Sequence, residues 1–159
     1  MEIELYASRH LDAVVRLALR AWAPVFDSIQ NTMNAEVYQA FYPNHWQESQ
    51  QKAVEDVCVG EDTNVWVAKE ADLVVGFVAV KLHPADSMGE IYMVAVDSEF
   101  QGRGIGSALT EFALCWMKEA GMAIAMVETG GDPGHAPARH TYEKAGFELW
   151  PVARYFKKL

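Results

Sequence analysis

Between Val94 and Leu114 the chain runs VAVDSEFQGRGIGSALTEFAL. It opens on alternating apolar residues, as a strand does. It closes on Ile105, Ala108, Leu109, Phe112 and Ala113, which repeat as one face of a helix. Between the two, Gln101–Gly106 (QGRGIG) places Gly102, Gly104 and Gly106 at alternate positions. Glycine removes the Cβ that would hold a ligand away from the backbone. The first N–H groups of the following helix, around Ile105, Gly106 and Ser107, have no internal acceptor, and the helix dipole adds partial positive charge there. Such a helix start suits a pyrophosphate. Arg103 can add a charge-assisted contact and Gln101 an amide one. Two other phosphate loops fit less well. No Gly-Lys pair occurs anywhere in the chain, which excludes a P-loop. A dinucleotide fingerprint would need glycine where Ser107 stands, and too little chain follows for the second half of that fold.

Working outward, Ile3–Ala7 alternate as a short strand, and Leu11, Val14, Val15, Ala18, Ala21 and Trp22 recur at helical spacing up to a stop at Pro24. Glu36–Tyr42 predicts a turn or two of helix. Trp46, Gln50, Ala53, Val54 and Val57 mark a further helix ending by Gly60. Asn64–Lys69 and Leu73–Leu82 predict an antiparallel hairpin about Glu70–Asp72, and after the polar loop His83–Ser87 comes the strand Glu90–Val96. Beyond the helix that Gly121 closes, Ala123–Val127 reads as a short strand and Ala136–Ala145 as a helix stopped by Gly146. Phe147–Leu149 and Ala153–Phe156 predict a last hairpin around Pro151. The fold class is therefore mixed α/β (α+β). It has a mainly antiparallel sheet flanked by helices and one parallel, right-handed strand–loop–helix–strand unit.

The length of 159 residues and 51% hydrophobic content suit a single domain over residues 1–159. No export signal and no apolar run of the roughly 18 residues that span a bilayer is evident. The expected setting is cytoplasmic, without membrane, and Cys58 and Cys115 are expected as free, buried thiols. The net charge of −9 repels nucleic acid and favours cationic ligands. It also requires any anionic ligand to be held by local backbone donors. The histidines lack metal-ligand spacing, so no metal is expected.

With strand, loop and helix in place, the chain resembles the GNAT superfamily of N-acetyltransferases. The family motif Gln/Arg-x-x-Gly-x-Gly/Ala, at a helix start after a strand ending Val-x-Val, appears here as VAVDSEFQGRGIG. A second hallmark, a Tyr followed by Glu-Lys-x-Gly-Phe, appears as TYEKAGFEL, Thr141–Leu149. Chain length and the run TGGDPGHAPARHTYEKAGF are similar to some kasugamycin-modifying members. The resemblance implies a splayed central sheet with the pantetheine arm of acetyl-CoA in the gap. The arm would pair with the backbone of Val94 and Val96, and the Val94 N–H would face the thioester carbonyl. The chain departs from the pattern where the family often carries an Asn seven residues before the Tyr. His135 stands there and is expected to replace it in cofactor contact.

Acetyl transfer to an amine needs a neutral amine, a donor to the developing oxyanion and a proton for the leaving thiolate. Glu90 is the candidate base or amine-holding carboxylate, because the lysine-modifying branch has a glutamate at this spacing acting often through water. Alternation would put Tyr92, Val94 and Val96 on its face. Tyr142 is the candidate acid, placed by the resemblance near the coenzyme sulfur. Acceptor sites in the family lie between the first two helices and in the loop before the central strand. Here those segments hold Trp22, Phe26, Asp27, Tyr38, Tyr42 and Trp46, then His83 and Asp86. Aromatic walls with carboxylates suit a small cationic amine, such as an aminoglycoside-type antibiotic or a polyamine. A protein lysine or N-terminal acceptor, and a non-catalytic CoA-binding sensor, are the alternatives. A homodimer is compatible with the apolar C-terminal stretch.

Overall fold

The computed structural model describes residues 1–159. Strand β1 (Glu2–Leu5) leads into a long helix α1 (Leu11–Thr32). The helices α2 (Ala35–Phe41) and α3 (Trp46–Val59) and the strands β2 (Thr63–Glu70), β3 (Leu73–His83) and β4 (Met88–Val96) follow. Then come α4 (Ile105–Glu119), β5 (Ile124–Val127) and α5 (Ala136–Lys144). The five strands lie in sequence order, antiparallel from β1 to β4, with β5 parallel to β4. No helix is long and apolar enough to cross a membrane.

The sheet is covered on both faces. On one, Val14, Leu17 and Ala18 of α1 and Val54 and Val57 of α3 bury against Val65, Val67, Phe77, Ala79 and Ala95. On the other, Ile105, Leu109, Ala113 and Met117 of α4 bury against Trp66, Val78, Val80 and Ile91. Burial on both sides explains why β3 reads as a nearly unbroken apolar run. Each buried Val or Leu contributes about 1.5–3 kcal/mol from removal of apolar surface. Gly89 sets how closely β4 approaches α4, since a Cβ there would sit 2.5 Å from the Met117 side chain.

Three expectations are corrected. Pro24 does not end α1, which continues through it to Thr32. Its missing N–H costs roughly 3 kcal/mol in an interior turn. Packing on both sides of it offsets that, with Val14, Leu17 and Ala18 before and Phe26 after all buried. The C-terminal hairpin does not form, and residues 147–159 carry no regular secondary structure. β5 offers only a four-residue edge and Pro151 lacks a donor, so the tail is held by side chains instead. Arg154 pairs with Glu128 at 2.8 Å, and Phe156 meets the Phe41 ring edge-on at 5.2 Å. Finally, Cys115 is exposed and only Cys58 is buried.

Candidate active site

β5 pairs with β4 only from Met88 to Ile91, against Ile124 to Val127. β4 runs on to Val96 while still paired to β3, so Tyr92–Val96 have no partner on the β5 side. A cleft of about 790 Å³ opens at this divergence. Its walls are Tyr92–Val96, the α1 residues Ala21, Trp22, Pro24 and Val25, the start of α4, and the segment from Gly134 to Tyr142. α1 and α4 lie on opposite faces of the sheet, and residues of both line the cleft.

A bulge sharpens this two-sidedness. In the β3–β4 ladder Met93 opposes Ala79 and Ile91 opposes Val80, which leaves Tyr92 as an extra residue. Ile91, Val94 and Val96 therefore share the α4 face, whereas Met93 and Ala95 lie with α1. Glu90 consequently does not share a face with Val94 and Val96, contrary to simple alternation. It turns to the α1 side, off the cleft lining, and its Oε2 lies 2.7 Å from His83 Nε2.

At the glycine loop, Gly102 (φ +76°) and Gly104 (φ +82°) adopt the left-handed conformation, and a Cβ at either would meet no atom within 4 Å. The loop surface is bare backbone. Gly104 caps α4 without any side-chain hydrogen bond, so the first-turn N–H groups remain available. These are the features a pyrophosphate needs. Gln101 lines the cleft and donates to the Val96 carbonyl at 3.1 Å, bracing the strand end. Arg103 points elsewhere. It donates to the Glu99 carbonyl at 3.1 Å and lies over the Phe100 ring at 4.7 Å. The loop is anchored from behind by buried Asp97, which pairs with Arg20 of α1 and accepts from the Glu99 N–H at 3.0 Å.

Tyr142 lies on the cleft wall and is otherwise buried; burial pushes its phenol up to about 12. His135 also lines the cleft. Its Nδ1 is hydrogen-bonded to Asp132, a partner that motif reading missed together with Ser28 and Arg139. Asp132 Oδ2 accepts from Ser28 Oγ at 2.6 Å, and the Arg139 guanidinium donates to the Asp132 carbonyl at 2.8 Å. Burial pushes the Asp132 carboxyl up, but hydrogen bonds from Ser28 and His135 outweigh it and hold the group below its usual value. The only sequence signal was the run GGDPGH, where glycines crowd an aspartate and a histidine.

Of the acceptor-side residues, Trp22 lines the cleft. Phe26 is buried, stacked on Trp46 at 4.4 Å and edge-on to Tyr42 at 5.2 Å, so that aromatic set is a packed wall behind the cleft. Asp27, His83 and Asp86 are not part of the lining. The Cys58 thiol is pushed up to about 11 by burial, which removes it as a nucleophile. No cluster of three or more His, Cys, Asp or Glu side chains is placed to hold a metal ion.

Residues 31–147 match the model of the acetyltransferase (GNAT) family. The chain belongs to that family. GNAT enzymes use acetyl-CoA as cosubstrate, and the bare glycine loop, the uncapped start of α4 and the unpaired Tyr92–Val96 edge fit that ligand. Among curated GNAT relatives, a mycothiol acetyltransferase of Actinosynnema mirum is 32% identical over 89% of this chain and 42% of its own length. The chain spans less than half the length of the curated relatives it matches. Among solved structures, the aminoglycoside N-acetyltransferase AAC(6')-Iy, in complex with a CoA–acetylneamine bisubstrate analogue, superposes with a TM-score of 0.67 at 16% identity. That match covers 99% of this chain and 97% of that one. The ribosomal-protein-S18-alanine N-acetyltransferase of Escherichia coli gives 0.70 at 19% identity over 94% and 79%. At these identities the structures establish the GNAT fold, a mixed five-stranded sheet with helices on both faces.

Proposed function

We propose that this chain transfers an acetyl group from acetyl-CoA directly to a primary amine on a small cationic acceptor, such as an aminoglycoside-type antibiotic (kasugamycin-like) or a polyamine. The observation that carries the reading is the cleft at the β4–β5 divergence, lined from both faces of the sheet, with the glycine loop and Tyr142 on its walls. Bound there, acetyl-CoA supplies an activated thioester. The first-turn N–H groups of α4 hold its pyrophosphate from Gly104–Ser107, and the free edge of β4 around Val94 offers backbone groups to the pantetheine arm. The acceptor approaches on the α1 face, past Trp22. Glu90 and His83 lie on that side of the sheet, and the Glu90 carboxylate attracts an ammonium group.

Tyr142 serves as a hydrogen-bond donor to the departing sulfur. A thiol ionises near 8.5, so full proton transfer from a phenol pushed up to about 12 would be uphill by roughly three to four pK units. Donation alone stabilises the developing thiolate without that cost. Support for a small, cationic acceptor comes from the net charge of −9 and from the AAC(6')-Iy complex on the same fold. Thiol release from acetyl-CoA should be followed with kasugamycin, aminoglycosides, polyamines, lysine peptides and N-terminal peptides. Turnover with the small polyamines or aminosugars is expected to exceed that with peptides. Reaction with peptides alone overturns the acceptor assignment, and CoA binding without any turnover supports a sensor.

A further inference from the structure

As the amine nitrogen bonds to the acetyl carbon it must lose a proton, and Glu90 lies off the cleft lining, bonded to His83. His135 lies on the lining and is oriented through Asp132, which is itself fixed from several sides. Its Nδ1 contacts Asp132 Oδ1. Asp132 Oδ2 in turn accepts from Ser28 Oγ of α1 at 2.6 Å and from the Gly134 N–H at 3.0 Å. The Asp132 and Gly130 carbonyls both accept from Arg139 of α5, which clamps the loop onto that helix. Gly130 and Gly134 leave no room for side chains. A Cβ on Gly130 would overlap the His135 ring and the Asp132 carboxylate, and one on Gly134 would meet Ser28. Capping the short turn at Pro133 requires only the bond that the Gly134 N–H donates to Asp132. The bonds to Ser28 and His135 go beyond that need. His140 also faces the cleft, but no hydrogen bond orients it.

The tautomer follows from the partners. Asp132 is held below the usual carboxylate value, so it stays ionised and can only accept. The hydrogen in its contact with His135 must therefore sit on Nδ1, which leaves Nε2 of the neutral ring as a lone pair without a protein partner. We propose that His135 Nε2 takes the proton from the attacking amine, with Asp132 and Ser28 as positioning residues. This rests on the reading of the chain as an acetyltransferase. The amine lone pair forms the C–N bond, the C–S pair leaves with sulfur, and the amine proton passes to Nε2. The thiolate, held by Tyr142, is protonated from water, and His135 returns its proton to solvent. Asp132 contacts the ring and Arg139 its loop, and the other charged or titratable groups that line the cleft are Glu128 after β5, His140, Tyr142 and Lys144 of α5, and Tyr92 of β4. The helices α1 and α4 present no titratable side chain to the cleft.

The test compares wild type with H135N, D132N and E90Q, using the best amine of the panel and imidazole ¹⁵N NMR of the unliganded protein. At pH values above its acid limb, wild type should show the Nδ1–H tautomer, and D132N should show a mixture. H135N should lower kcat about 100-fold, within the range for lost general-base catalysis, and flatten the acid limb of its pH profile. The KM for acetyl-CoA should change less than about threefold, a split that general structural damage would not give. D132N should move the acid limb to lower pH, because the imidazolium loses its carboxylate. An H135N enzyme with wild-type kcat and an intact acid limb overturns the proposal, as does an Nε2–H tautomer in wild type or an acid limb lost only in E90Q. If wild type acetylates no amine at all, the acetyltransferase reading fails and this assignment falls with it. Activity that survives H135N unchanged removes this assignment alone.

Discussion

Tyr142 illustrates how burial sets a side chain's role. Its phenol is pushed up to about 12 because the ionised form would lose water without gaining a partner. The unfolded value is near 10, so the folded state disfavours the phenolate. The stability tied to this group is fully present below pH 10 and is lost as pH rises towards 12, by about 2–3 kcal/mol. Y142F should therefore flatten the alkaline loss of stability, measured by urea unfolding between pH 9 and 11 at roughly 0.5-unit steps. The same variant should lower kcat by about tenfold and shift the KM for acetyl-CoA much less. An unchanged kcat would remove the hydroxyl from the reaction. His135 shows the opposite case, a ring oriented by its bond to Asp132, whose carboxylate is itself held by Ser28.

Among the elements, β4 and α4 carry the site, and their contact at Gly89 is tight. G89A should cost about 1–3 kcal/mol by overpacking against Met117, read as a lower urea midpoint with unchanged m. Truncating Met117 to Ala costs about 2–5 kcal/mol by itself, so the pair is read as a cycle in which G89A should cost less in the M117A chain than in wild type. These two elements were also the most legible in the sequence. A glycine loop between a strand and an amphipathic helix is a local signal, and so is the TYEKAGF run that holds Tyr142. The bulge at Tyr92 was not legible, because it arises from how β3 and β4 fit between two helical layers and no residue in the strand announces it. Pro24 misled for a related reason, since helix packing overrode a local stop signal. The alternating tail from Phe147 to Phe156 misled because a strand pattern still needs an edge to pair with. The Ser28–Asp132 bond joins residues 104 apart in sequence, beyond any motif.

For the whole molecule, an acidic chain must bind an anionic cosubstrate while attracting a cation. The field of nine excess negative charges acts over about a Debye length, near 10 Å at 0.1 M salt. Raising salt from about 0.02 to 0.3 M should therefore raise the KM for a polyamine several-fold and leave that of a monoamine nearly constant. The KM for acetyl-CoA should fall or stay level, since its backbone contacts are local and the repulsion is screened. Opposite salt trends would place the acceptor in a neutral, enclosed site. The single extra residue in β4 has a consequence at this scale as well. By breaking the two-residue rhythm at Tyr92, it makes the strand behave as two independent rulers, one for each face. Side chains that meet the incoming amine can drift through mutation without moving the backbone that grips the coenzyme. A chain built on such a hinge in its side-chain phase can change its acceptor and keep its cosubstrate.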